Sequence, residues 1–195
     1  MTAVRRLVPL LPRAMDDELV RRARDGDRTA ADQLFRQHGP RILRLCTRLL
    51  EHRQEAEDLT HDAFIKAFEK LPTLREPAKF EAWLNRMVVR EARRRIRRRR
   101  LLAKLGFVGS WIPELGLDEL ASPAAPPDVV ADLRRVRLVL SRVSTDARIA
   151  WLMRYLEGYS TEAIAEQLGV SRATARRRTR EAERALAQTW AEGSQ

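Results

Sequence analysis

Apolar residues in this chain return every three to four positions rather than every second one, and that period restricts the possible folds more than any other feature. It lines apolar side chains along one stripe of a helix, which must then be buried against another helix. Alternating apolar and polar stretches are short, and only five Phe, two Tyr and four Trp occur in 195 residues, so strands have little support. An all-α fold is expected.

Helix breakers divide the pattern into two small helical domains. Asp16 and Asp17 can cap a first short helix that ends near Asp25 and Gly26. A second starts near Thr29, carries Leu34 and Phe35, breaks at Gly39-Pro40, and resumes with Ile42, Leu45, Leu49 and Leu50. A third spans about 53–70 with Ala56, Leu59, Ala63, Phe64, Ala67 and Phe68 as its stripe, and Pro72 and Pro77 bracket the loop after it. A fourth begins near Phe80, holds Trp83, Leu84, Met87 and Val88 on one side, and runs into a block of arginines. These four make a small bundle over residues 15–102, behind a leader, 1–14, that is expected to be disordered. Residues 103–127 are rich in Gly and Pro and read as a flexible linker. It carries Phe107, Val108, Trp111 and Ile112, which dock either on a neighbouring helix or on a partner.

The second unit, 128–190, opens with a helix striped by Val129, Leu133, Val136, Leu140 and Val143. Ser144 caps the next, which holds Ile149, Trp151, Leu152 and Tyr155 and stops at Gly158. Ser160 starts a short helix, 161–168; Gly169-Val170 makes a tight turn; Ser171 caps a last helix to about Gln188. Two short helices joined by a Gly-containing turn, with small Ala165 where they cross, form a helix-turn-helix. The second helix of such a motif enters the DNA major groove and reads base edges. Here it offers Ser171, Arg172, Thr174, Arg176, Arg177, Arg178 and Arg180.

Charge agrees with that reading. The net charge is +11, with 38 Lys and Arg against 27 Asp and Glu, and a strongly basic chain fits a nucleic-acid partner. The excess is uneven: +10 over residues 1–100, −3 over 101–130 and +4 over 131–195. Arg86, Arg90, Arg93, Arg97 and Arg100 share one face of the fourth helix, with Arg94, Arg95, Arg98 and Arg99 around it and Trp83 just before. A cationic face beside an aromatic suits a phosphate backbone and unstacked bases. An acidic cluster, Glu55, Glu57, Asp58, His61 and Asp62, lies on the third helix. On a basic protein it fits a protein partner better than a metal, since a di-metal carboxylate site needs a matching second helix that the chain lacks.

Taken together, these residues resemble the extracytoplasmic-function (ECF) branch of the sigma-70 family. Leu34-Phe35 and Pro40, followed by Ala56-Glu57-Asp58-Leu59-Thr60-His61-Asp62-Ala63-Phe64, are similar to its second conserved region, and Phe80 through Met87, with Trp83-Leu84, looks like the segment that follows. Leu156-Glu157-Gly158 through Leu168-Gly169-Val170-Ser171 and Thr174 resembles the fourth region. The resemblance implies a sigma2-like and a sigma4-like domain. Glu57, Asp58, His61, Asp62 and Phe64 would bind the β′ coiled coil of core RNA polymerase, and the sigma4-like domain its β flap. Thr73, Leu74, Arg75, Lys79, Trp83, Arg86, Arg90, Arg93, Arg94 and Arg97 would capture the melted −10 element. The helix from Ser171 would read the −35 element, and the linker would thread the polymerase cleft. This chain departs from the family with His61 in place of Gln, Arg90 of Asn, Arg94 of Asp, and Glu181 and Glu183 of Arg.

Function classes narrow accordingly. The single cysteine, Cys46, sits in an apolar helical stripe and belongs to the core. No apolar run approaches the ~20 residues of a membrane span, and the leader is too short and proline-broken for a secretory signal. A cytoplasmic protein, monomeric when free, with no enzymatic activity and no cofactor or metal is expected. An inhibitory anti-sigma factor is a further expected partner, because both DNA faces and an apolar linker would stand exposed in a free two-domain chain. The alternatives are a stand-alone helix-turn-helix regulator with a LuxR-like domain, an enzyme using Glu55, Asp58 and His61 on a metal, and a sigma-like protein that no longer initiates.

Overall fold

The computed structural model describes residues 13–50, 52–106 and 126–192. All regular elements among them are helical: α1 (Arg13–Arg24), α2 (Arg28–Leu50), α3 (Arg53–Lys70), two short 3-10 turns (Leu71–Thr73 and Pro77–Lys79), α4 (Phe80–Lys104), α5 (Pro127–Arg142), α6 (Thr145–Tyr155), α7 (Thr161–Leu168) and α8 (Arg172–Glu192). The leader through residue 12 and linker residues 107–125, with Phe107, Val108, Trp111 and Ile112, lie outside the described residues.

The first four helices form the expected bundle. Its core holds Leu34, Ile42, Leu45 and Leu49 of α2, Leu59 and Phe64 of α3, and Leu84, Val88 and Ile96 of α4. Two local expectations fail. Asp16 lies inside α1, and it is Asp27 that starts the next helix, its Oδ1 accepting from the backbone N–H groups of Thr29 and Ala30 at 2.8 and 3.1 Å. Helix α2 also runs unbroken through Gly39-Pro40. A mid-helix proline costs about 3 kcal/mol, but Leu34 before it and Ile42 after it are both fully buried in one core. That shared burial holds the two halves in line.

In the second unit the three serine caps appear as read: Ser144, Ser160 and Ser171 accept from the N–H groups of Ala147, Ala163 and Thr174 at 3.2, 3.1 and 3.2 Å. Gly169 takes φ 65°, ψ 41°, the left-handed conformation that suits glycine after a helix end. The buried residues of the two units are contiguous: Leu152, Met153, Ile164 and Leu168 join the same apolar cluster as Leu84 and Ile96. The sequence pattern gave no sign of this, because the contact joins helices separated by the linker.

Candidate nucleic-acid and polymerase interfaces

Helix α8 divides by burial into two faces. Ala175, Thr179 and Ala182 point into the unit, while Arg172, Arg176, Arg177 and Arg180 are exposed. The expected roll of DNA-facing residues shortens here. Arg178 turns inward, donating to Glu181 at 2.8 Å and lying 3.4 Å from Ser144 Oγ. The Thr174 hydroxyl lies 3.0 Å from the Ser171 hydroxyl within the cap. The exposed face keeps four guanidinium groups, with Arg172 3.8 Å from Glu162.

The two unusual glutamates of this helix are structural. Glu181 accepts from the backbone N–H of Ser144 at 3.1 Å and from Arg178, tying α8 to the start of α6. Glu183 accepts from the Tyr155 hydroxyl at 2.7 Å. Burial alone would raise the Glu181 carboxyl, but the bonds from Ser144 and Arg178 outweigh it and hold it below the ordinary glutamate value. A depressed folded pKa stabilises the protein above the unfolded value and is lost as pH falls through the folded one. Glu181→Gln is therefore expected to cost on the order of 1 kcal/mol near neutral pH after solvent screening. Thermal melts should show the gap closing in acid; a gap that persists there would exclude this carboxylate as its source.

Helix α4 carries the second basic set on three sides. Arg95 and Arg99 face back into the bundle, Arg95 donating to Asp62 at 2.6 Å and to the Glu55 carbonyl at 3.3 Å, and Arg99 pairing with the Glu55 carboxylate. Arg90 and Arg94 line an open groove of about 590 Å³ between α3 and α4, shared with Lys66, Lys70 and Arg97. The third side holds Arg86, Arg93, Arg97 and Arg100. It was expected to be bare; instead it is turned onto the second unit. Arg93 donates to Asp146 at 2.6 Å and to the Leu168 carbonyl at 3.1 Å, and Arg97 donates to Asp146 at 3.1 Å. Arg86 pairs with Glu166, and Arg100 donates to the carbonyls of Val143 and Ser141 at 2.8 and 3.0 Å.

The loop before α4 is mixed. Thr73, Arg75 and Lys79 are exposed, Lys79 pairing with Glu76 at 2.7 Å. Leu74 is 7% exposed and belongs to the core, so it is no surface contact. Trp83 is half-buried with its ring 6.2 Å from that of Phe80.

On α3 the acidic set separates. Glu55 and Asp62 are neutralised by arginines of α4, and no group of three or more His, Cys, Asp or Glu gathers for a metal among the described residues. Glu57, Asp58 and His61 face outward, Glu57 3.0 Å from Arg53. Phe64, expected on the same surface, is 2% exposed and packs edge-on against Phe35 at 4.9 Å, because its register falls on the stripe that α3 presents to α2. What remains beside the carboxylates is an apolar groove of about 380 Å³, floored by Phe35, Gly39, Pro40 and Leu43 and edged by Glu57 and His61. Cys46 is fully buried and burial pushes its thiol up to about 11, which leaves it unreactive packing.

Sequence reasoning missed the residues that join the units. Asn85 donates to the Tyr159 hydroxyl at 2.7 Å, Gln167 to the Ala82 carbonyl at 3.2 Å, and the buried Arg148 to the Leu49 carbonyl at 2.9 Å. Asp146 is 8% exposed. In the sequence it looks like an ordinary acidic residue in a helix first turn, and its partners lie about fifty positions upstream.

Comparison with known proteins gives two family models in chain order: Sigma-70 region 2 over residues 34–101 and Sigma-70, region 4 over residues 133–186. The chain is 31% identical over 172 residues to the ECF RNA polymerase sigma factor SigM of Mycobacterium tuberculosis, covering 88% of this chain and 83% of the relative. It is 31% identical over 159 residues to the ECF RNA polymerase sigma factor SigE of Mycolicibacterium smegmatis, covering 78% of this chain but only 60% of that longer relative. The fold is similar to that of the sigma factor RpoE solved with the anti-sigma factor NepR from Bartonella quintana, with TM-score 0.61, 23% identity and coverage of 80% of this chain and 94% of that one.

Proposed function

Because this chain belongs to the ECF sigma factors of the sigma-70 family, we propose that it binds core RNA polymerase and directs it to a particular set of promoters. The observation that carries the reading is the match to both sigma regions, in order, on two helical units of one chain. The exposed arginines of α8 support reading of the upstream, −35 element by major-groove contact. Thr73, Arg75 and Lys79 before α4, with Trp83, Arg90 and Arg94 on it, form the available part of a surface for the melted −10 strand. Arg86, Arg93 and Arg97, on the side of α4 turned to the second unit, are paired with Glu166 and Asp146 and are not counted in that surface.

The groove floored by Phe35 and Leu43 and edged by Glu57 and His61, with Asp58 beside it, suits a polymerase helix that presents apolar and basic side chains. In this reading Phe64 shapes the groove from below and Asp62 fixes α4 through Arg95. Bond making stays with the polymerase, and the protein acts in the cytoplasm as part of that assembly. An anti-sigma factor is proposed as its second protein partner, in line with the solved sigma factor of similar fold that is held by one.

The test is a binding assay with purified core polymerase, followed by transcription from DNA upstream of the gene. Wild type is expected to associate and yield a discrete transcript. Asp58→Arg, on the exposed face of α3, is expected to weaken association by tenfold or more, about 1.4 kcal/mol or above. DNA binding with no polymerase association would hand the function to a stand-alone regulator.

A further inference from the structure

We propose that the cleft walled by α1, α2, the start of α4 and the turn after α6 binds a small alkyl cation, one nitrogen of which is shared between the Asp16 carboxylate and Nε2 of His38. The cleft has a volume of about 400 Å³, within the range that takes small ligands. Asp16, Asp17 and His38 belong to neither the polymerase surface nor the promoter surface. The charge around the cleft does not cancel. Arg41 pairs with Glu81 at 2.9 Å, and Arg48 with Glu157. Asp16 instead accepts from the neutral amide of Gln37, and Asp17 lines the same wall. Among the described residues no arginine or lysine pairs with either aspartate, so two negative charges are left for a ligand to meet.

Carboxylates alone would be satisfied by water; the histidine makes the site specific. His38 is 7% exposed, and its Nε2 is buried without a hydrogen-bond partner, a costly state for a polar atom. Burial, more than any neighbour, holds its pKa below the ordinary histidine value. The ring is therefore neutral near neutral pH, and Nε2 can serve as a lone-pair acceptor. It stands 3.8 Å from Asp16 Oδ2. That is too far for a direct hydrogen bond, but one ammonium or guanidinium nitrogen about 2.9 Å from each atom spans it. Asp16 from α1, Glu81 from α4 and Arg41 from its own helix are the charged groups facing the ring, with Glu157 and Tyr159 on the far wall. Pro77, Ala78 and Phe80 line the remaining side, which suits a short alkyl chain.

Agmatine, with a guanidinium at one end of a short alkyl chain and an ammonium at the other, is the probe, added to the full-length chain at constant ionic strength. Heteronuclear NMR follows the imidazole nitrogens of the three histidines, and His52→Gln and His61→Gln assign the His38 signals by elimination. Agmatine is expected to shift the His38 Nε2 resonance saturably and to leave those of His52 and His61 in place. Asp16→Asn and Asp17→Asn should each weaken the binding about tenfold, as the loss of one charge-assisted contact does. Asp17 is partly exposed, so its variant keeps the fold, which unchanged circular dichroism verifies. Acid protonates the ring and removes the acceptor, so wild-type affinity should fall as the His38 signals titrate. The absence of any shift, a shift that does not saturate, one shared by all three histidines, or one that neither aspartate variant alters overturns the site.

Discussion

Leu34→Ala is expected to lower the unfolding free energy by about 2–5 kcal/mol, the range for removing a leucine from a packed core. Leu34 is fully buried and lies within the helix half that precedes Pro40. The proline removes one backbone donor from α2, so the first half of that helix relies on side-chain burial more than an uninterrupted helix would. Truncating Leu34 removes burial where the backbone has least to spare. Ile65→Ala on α3 is the matched control: Ile65 is 58% exposed, and its replacement should stay within about 0.5 kcal/mol. Urea midpoints followed by circular dichroism give both numbers at once. Equal shifts in the two variants would mean that Leu34 is not the buried core residue described above.

Arg176→Ala/Arg177→Ala should weaken binding to the upstream promoter element by one to three powers of ten, given about 1–3 kcal/mol for each good base contact. Part of that loss comes from phosphates. The slope of log affinity against log salt should fall by about 0.9 for each phosphate contact removed. Arg178→Ala belongs to a different class although it adjoins both residues. Its guanidinium is bonded to Glu181 beside the start of α6, so its loss should lower the melting temperature while leaving the salt slope intact. Filter binding at several salt concentrations separates the two behaviours. A salt slope that falls equally in all three positions would return Arg178 to the DNA-facing set.

The contrast between Arg177 and Arg178 also marks how far the sequence could be read. In the second unit the helix spans, serine caps and the turn at Gly169 follow from local rules of period and backbone preference, and they appear where those rules put them. Which arginine of a run faces outward was open, because adjacent residues differ by about 100° around a helix and the register depends on what packs beneath. Ala175, Thr179 and Ala182 set that register. Phe64 and Leu74 were misread for a similar reason: each belongs to a segment with surface-exposed neighbours, yet burial takes the single side chain inward. The contact between units was not legible at all. Asp146, Tyr159 and Gln167 meet α4 across a linker, and nothing in a local pattern distinguishes them from ordinary surface residues.

Helix α4 has one more consequence, which concerns the order in which the chain leaves the ribosome. Among the described residues, the ion-pair partners of Arg86, Arg93 and Arg97 across that face come from α6 and α7 and are translated later. At about 5–20 residues per second, the stretch from the end of α4 to the end of α8 takes on the order of ten seconds to emerge. During that interval the residues of all four bundle helices have been made, but Arg93 and Arg97 have no Asp146. The nascent protein is then a stickier polyanion ligand than the finished one, with ribosomal RNA as the nearest polyanion.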